Sequence, residues 1–197
     1  MLTRFGVLAL LCVAAIVPLR ADPAATPGKV EVIEFFSYGC PHCFHFQEPL
    51  LKWVAGLPPD VEFQRMPVSL GYPQWIVLSR AYYALDAAGL LARADDPLFK
   101  ALHVQKLRLY DGPSFSAWLR SSGFQEAEAQ KFLAAFDSDE VAARVAQAER
   151  MGSQYRIDST PTLLIDRRYR AGGLAGVDQL IGVARTERRA AAARLGN

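Results

Sequence analysis

Apolar positions follow two rhythms along this chain. From Val30 to Phe36 the run VEVIEFF is dense in β-branched and aromatic residues, as in a strand buried in a sheet. It delivers the chain to Ser37-Tyr38-Gly39-Cys40, and Pro41 follows where a first helical residue belongs. Proline suits that position because its missing N–H would be unpaired there and its φ is already near helical. A helix is predicted from about Pro41 to Ala55, stopped by Gly56-Leu57-Pro58-Pro59, with a second strand over Val61 to Ser69. Strand, helix and strand in that order predict a parallel βαβ unit with a right-handed crossover.

Between Pro73 and Tyr155 the period changes. Trp75, Leu78, Tyr82 and Leu85 recur at three-four-three spacing, a helical core face. Asp111-Gly112-Pro113 reads as a turn and Ser114 as the cap of a short helix ending at Gly123. Asp137 with Glu140 resembles a capping box for a helix through Val141, Val145 and Ala148. Strand signal returns at Pro161-Thr162-Leu163-Leu164-Ile165, then an Asp166-Arg167-Arg168 turn and a short Tyr169 to Ala171 run, together a hairpin. After Gly172-Gly173 a last helix runs from Val177 to about Arg194. Strands at both ends with helices between them predict one α/β unit carrying a helical insertion.

The N-terminus departs from this pattern. Arg4 precedes an uncharged apolar run from Phe5 to Leu19, shorter than the ~20 residues a bilayer span needs, which is the build of a secretory signal. Leu19 stands three before Asp22, where a cleavage site expects a small residue, so an uncleaved anchor stays open; Leu11 before Cys12 argues against lipidation. Removing residues 1–21 takes away Arg4 and Arg20 and no acid, so 22 basic against 20 acidic residues becomes 20 against 20. That balance makes nucleic acid a poor partner. The 51% apolar and 21% charged composition excludes a disordered or coiled-coil chain.

The mature chain then holds two cysteines, Cys40 and Cys43. A bridge between residues three apart closes almost no loop and stabilises little, and in an oxidising compartment a lone pair of this kind reads as chemical. On a helix, residues three apart lie one turn away on nearly the same face, within reach of a disulfide. Cys40, at the first turn, meets unpaired N–H groups and the positive dipole end, which favour a thiolate, and His42 between the sulfurs can add to that. Cys40 is therefore the expected nucleophile and Cys43, one turn inside, the resolving thiol. A closed zinc site would need reorganisation, because His45 lies two residues past Cys43 and points to the other side of the helix. His45 and His103 are read as packed or surface histidines.

The segment Glu34-Phe35-Phe36-Ser37-Tyr38-Gly39-Cys40-Pro41-His42-Cys43 resembles the active-site region of the DsbA thiol:disulfide oxidoreductases. The likeness runs from about Val30 to the last helix. It implies an α/β thioredoxin fold with an inserted helical domain: residues 1–21 a signal peptide, 22–70 and 156–197 the two parts of the thioredoxin domain, 71–155 the insertion. It implies a monomeric periplasmic oxidant, without metal or organic cofactor, that donates its Cys40–Cys43 disulfide to unfolded or reduced exported proteins. Reoxidation would come from a DsbB-type quinone-linked membrane oxidase. The resemblance also implies a cis-proline loop at Thr160-Pro161, and a buried acid, Glu34, paired with Arg65 as a proton relay or charge brake near Cys43, the alternative being an ordinary edge ion pair. A low-pKa Cys40 would stabilise the dithiol, make the disulfide a strong oxidant and leave readily from a mixed disulfide. Two departures stand out: the eight residues before Val30 are too few for the extra strand such proteins place there, and Thr160 stands where some carry valine.

Other readings of the same cysteines are an isomerase or reductase, for which the chain is short of a dimerisation domain, and a periplasmic chaperone that holds copper or zinc or an unfolded chain. Tyr38, Phe44 and Phe46 are candidates for an apolar client surface. Arg185, Arg188, Arg189 and Arg194 read as a solvated face of the last helix.

Overall fold

The computed structural model describes residues 28–195. The apolar N-terminal run, Cys12 and the cleavage position lie outside the described residues. Within them the order is β1 (Val30–Phe36), α1 (Pro41–Ala55), β2 (Val61–Pro67), α2 (Pro73–Ala88), α3 (Leu91–His103), α4 (Gly112–Ser121), α5 (Glu126–Phe136), α6 (Asp139–Gln154), β3 (Thr162–Ile165), β4 (Tyr169–Ala171) and α7 (Val177–Leu195). The sheet runs β2-β1-β3-β4. β1 and β2 are parallel, with Glu34 opposite Arg65, while β3 is antiparallel to β1 and β4 to β3. Among the described residues no strand precedes β1, and β2 is an outer strand.

Every residue of β1 is buried because apolar layers cover both faces. Val30 and Val32 join Leu50 of α1 and Val177 and Ile181 of α7 in one core. Ile33 and Phe35 join the larger core built with α2 to α6. The insertion is tied to the sheet by an aromatic cluster: Phe36 packs edge-on against Tyr38 and Tyr82, each at 5.3 Å, and Tyr38 against Phe99 at 4.7 Å. Such pairs add about 0.5–1.5 kcal/mol each beyond their burial. They also fix the loop that carries Cys40, which follows Tyr38 by two residues.

Several expected boundaries move, each for a visible reason. β2 stops at Pro67, not Ser69, because Ser69 turns its N–H and hydroxyl to the Glu149 carboxylate of α6, and the chain reverses through Leu70 and Gly71 at φ 49° and 83°. Asp111-Gly112-Pro113 is the start of α4: Asp111 is the cap, accepting the Ser114 N–H at 2.8 Å, and Ser114 returns the bond at N3. The α4 helix ends at Ser121, and Gly123 follows it at φ 87°. Ser138 caps α6, accepting the Val141 N–H at 3.2 Å, while Asp137 closes α5. Capping boxes slip by one residue easily, since any short polar side chain can serve.

The hairpin between β3 and β4 holds Asp166 and Arg167 at φ 51° and 56°, a region unfavourable for both. Ion pairs hold each in place: Arg188 Nε donates to Asp166 at 2.6 Å and Arg167 Nε to the buried Glu31 at 2.7 Å. Arg185 likewise clasps Asp60 through two bonds of 2.6 and 2.8 Å. Two of the four arginines expected on a solvated face therefore fasten α7 to the sheet, while Arg189 and Arg194 remain exposed.

Candidate active site

Cys40 is the N-cap of α1, with extended backbone at φ −87° and ψ 117°, and Pro41 opens the helix. Its position is set from behind: the Cys40 N–H donates to Ser37 O at 3.1 Å and Gly39 N–H to Ser37 Oγ at 3.1 Å. Both cysteines are free thiols here, Cys40 4% and Cys43 0% exposed. Across the site Thr160–Pro161 is a cis peptide, and the Cys40 thiol donates to the Thr160 carbonyl at 3.3 Å.

The two sulfurs are pushed in opposite directions. The Cys40 thiol falls from 9.0 to about 5 because the Cys43 thiol hydrogen-bonds its anion, helped by Thr160 and by the Cys43 and His42 backbone N–H groups, against the cost of burial. The reciprocal bond keeps Cys43 protonated, and burial and the Glu34 carboxylate push it further up. The Thr160 hydroxyl is buried and has no hydrogen-bond partner among the described residues in this dithiol form, so a charged Cys40 is its natural acceptor.

Behind Cys43 lies a buried charge cluster. Glu34, fully buried, accepts from Arg65 Nε at 2.5 Å, and the Arg65 guanidinium carbon sits over the Phe36 ring, 3.9 Å from its centroid. Burial raises the Glu34 carboxyl, and Arg65 pulls it only part of the way back. Arg65 Nη1 reaches Asp95 of α3 at 2.9 Å, and Asp95 also accepts from Tyr38 and Gln47.

The chain is similar to known proteins over most of its length. The family model of the DSBA-like thioredoxin domain matches residues 31–186. The chain belongs to the DSBA-like thioredoxin family. It is 35% identical over 180 residues, 87% of this chain and 82% of the relative, to the thiol:disulfide interchange protein DsbA of Pseudomonas syringae pv. tomato. The namesake of Bordetella parapertussis is 35% identical over 81% of this chain and 78% of its own. The crystal structure of Pseudomonas aeruginosa DsbA superposes with a TM-score of 0.75 at 30% identity, covering 87% of this chain and 90% of that one. The Xylella fastidiosa oxidoreductase DsbA gives 0.75 at 31% identity over 83% and 90%. The fold is thus a thioredoxin fold with a helical insert, and the protein is a thiol:disulfide oxidoreductase.

Within this DSBA-like frame the histidines take different places. His42 and His45 are both exposed and, with Phe46, Pro49, Thr160 and Pro161, line a shallow groove of about 470 Å³ beside the sulfurs. His45, three residues past His42 on α1, shares its exposed face and is turned away from the buried Cys43, as its spacing predicts. Among the described residues no three His, Cys, Asp or Glu side chains gather as metal ligands. His103 Nε2 lies 2.7 Å from Tyr38 O and its ring stacks on Phe44 at 5.1 Å, a packed histidine. Of the three aromatic residues around the motif, Tyr38 is fully buried, and only Phe44 and Phe46, both half-buried, reach the surface.

Sequence reasoning missed three residues near the site. Gln47 was foreseeable, one turn past Cys43 on the buried face of α1. Asp95 carried no signal, since an acid in an exposed-looking Asp95-Asp96 pair reads as solvated. Trp75 packs on the core as its spacing predicts, but its indole also lies against Gly39: a Cβ there would come 2.3 Å from Trp75 Nε1 and 2.7 Å from Cδ1. Gly39→Ala is expected to force the ring aside and cost about 1–3 kcal/mol, read as a lower thermal midpoint of the reduced protein; an unchanged midpoint would show that the indole moves freely.

Proposed function

We propose that the protein oxidises cysteine pairs of unfolded or reduced exported proteins in the periplasm, as a monomer without metal or organic cofactor. In the oxidised form a client thiolate attacks Cys40 Sγ. The Cys40–Cys43 bond breaks, Cys43 leaves with the electron pair and takes a proton, and a mixed disulfide joins Cys40 to the client. The client's second thiolate attacks its own bridged sulfur, and Cys40 departs as an anion. Two electrons have passed from client to protein, and a DsbB-type quinone-linked membrane oxidase returns the dithiol to the disulfide.

In this reading Cys40 is the attacked sulfur and Cys43 the resolving one. Pro41 opens the helix whose N–H groups, with that of His42, face the anion. Thr160 and Pro161 wall the groove along which a client lies, with the Thr160 carbonyl turned to Cys40 and its buried hydroxyl free for the Cys40 anion. Glu34, whose charge Arg65 offsets only in part, takes and gives the proton that Cys43 exchanges. The apolar segment ahead of the described residues supports export, and among the described residues no helix is long and apolar enough to cross a membrane.

One observation carries the reading: Cys40 is pushed down to about 5 while Cys43 is pushed up. Exchange needs one sulfur that leaves as an anion. Holding a metal needs two thiolates at once, which this pair resists. The test is oxidation of a reduced, unfolded protein by the oxidised chain, with the glutathione equilibrium measured alongside. Fast oxidation without added metal and a potential above that of glutathione are expected; an inert bridge or a strongly reducing potential would refute the proposal.

A further inference from the structure

The insertion contributes one carboxylate to the charges behind the cysteines. Asp95 of α3 accepts from the Tyr38 hydroxyl at 2.5 Å, from Arg65 Nη1 at 2.9 Å, and from Gln47 Nε2. Its donors come from the loop before Cys40, from β2, and from α1 one turn past Cys43. We propose that Asp95 is a positioning residue of the exchange reaction: it draws the Arg65 guanidinium away from a two-bond grip on Glu34, so that the inserted helices set the charge behind Cys43. This rests on the exchange reading above and adds the residue that tunes it.

The geometry of Arg65 carries the argument. A guanidinium and a carboxylate that face only each other form two parallel bonds. Arg65 forms one bond to Glu34, through Nε, and turns Nη1 to Asp95. Among the described residues Glu34 Oε1 and Arg65 Nη2 are buried without partners, as is Gln47 Oε1. One cation is thus shared between two acids, and Glu34 keeps an oxygen free to carry a proton. The groups around Glu34 are Arg65 from β2, Asp95 from α3, Cys40 and Cys43 at the start of α1, Tyr38 from the preceding loop and, through α2, the Tyr82 hydroxyl on Arg65 O. Asp95 pushes the Glu34 carboxyl up and Arg65 pushes it down. With Asp95 neutral, Arg65 is released to Glu34, which then stays ionised at lower pH.

The experiment compares the full wild-type chain with Asp95→Asn, Asp95→Ser, Asp95→Glu and Glu34→Gln, following the dithiol–disulfide equilibrium with glutathione from acid to neutral pH. Besides the inflection that Cys40 itself produces, which every variant keeps, a wild-type inflection that Glu34→Gln removes is expected. Asp95→Asn and Asp95→Ser should move it to lower pH and change the equilibrium constant there about threefold or more, and Asp95→Glu should bring it back. Serine is included because an asparagine amide would face the donors of Arg65 and Gln47 and could disturb folding. A wild-type profile without the inflection, or one that both neutral Asp95 variants leave in place, overturns the inference whatever happens to thermal stability. Either result leaves the exchange reading standing so long as the wild-type chain oxidises a reduced protein; a chain that fails to do so removes that reading itself.

Discussion

Cys40→Ser is expected to abolish catalysed oxidation, by about three orders of magnitude or more, because a hydroxyl neither forms the bridge nor leaves as a stabilised anion. The informative contrast is with Cys43→Ser, which also cannot turn over but keeps the reactive sulfur. In that variant Cys40 should be alkylated at mildly acid pH and should accumulate as a mixed disulfide with glutathione, having no neighbour to release it. Cys40→Ser loses the bond to the Cys40 sulfur but retains Cys43 fully buried, where burial and the Glu34 carboxylate still oppose its anion, and it should resist alkylation at neutral pH. Mass spectrometry after brief alkylation separates the two. Equal labelling of both variants would show that the fold does not distinguish the sulfurs, and the division into attacked and resolving thiol would fall.

The chemistry of the cysteines was legible because it is local. Strand, Ser37-Tyr38-Gly39, Cys40, Pro41 and the helix follow one another in sequence, so the N-terminal placement of Cys40 could be read from neighbours alone. The pairing of Glu34 with Arg65 was reachable too, through the resemblance, and the register of β1 with β2 sets the two residues side by side. What escaped was whatever depends on how the insertion packs on the sheet. Asp95 enters the site from α3, 30 residues beyond Arg65 in sequence, through a fit of side chains that no period announces. Trp75 belongs to a helical stripe in which Leu78, Tyr82 and Leu85 are buried, but at its end the same stripe runs over Gly39. The burial of Glu34 in a strand that reads as buried is completed by the same packing, since β1 is covered on both sides by helices far apart in sequence.

The acid titration of the reduced protein tests the same charge through stability. In the unfolded chain Cys40 titrates near the ordinary thiol value of 9.0, and in the folded dithiol at about 5. A lowered value means that the folded chain binds its proton less tightly, so the thiolate contributes stability that is complete above the unfolded value and is lost as pH falls through the folded one. Across that window the reduced protein gains about 1.4 kcal/mol per pH unit, hence about 2–3 kcal/mol at pH 7 relative to pH 4; Cys40 is 4% exposed, so solvent screens little of it. Cys43, held protonated throughout this range, adds nothing, and Glu34 and the surface acids are shared with the Cys40→Ser variant. The unfolding free energy of the reduced wild-type chain minus that of Cys40→Ser should therefore fall by about 2–3 kcal/mol between pH 7 and pH 4, measured by denaturant titration. The disulfide has no such thiolate, so the same energy favours the dithiol over the bridge and moves the potential about 50 mV toward oxidising at pH 7, an advantage that should vanish below pH 5. A difference that stays flat with pH would mean that the folded chain does not favour the Cys40 anion, and the oxidising power would then need another source.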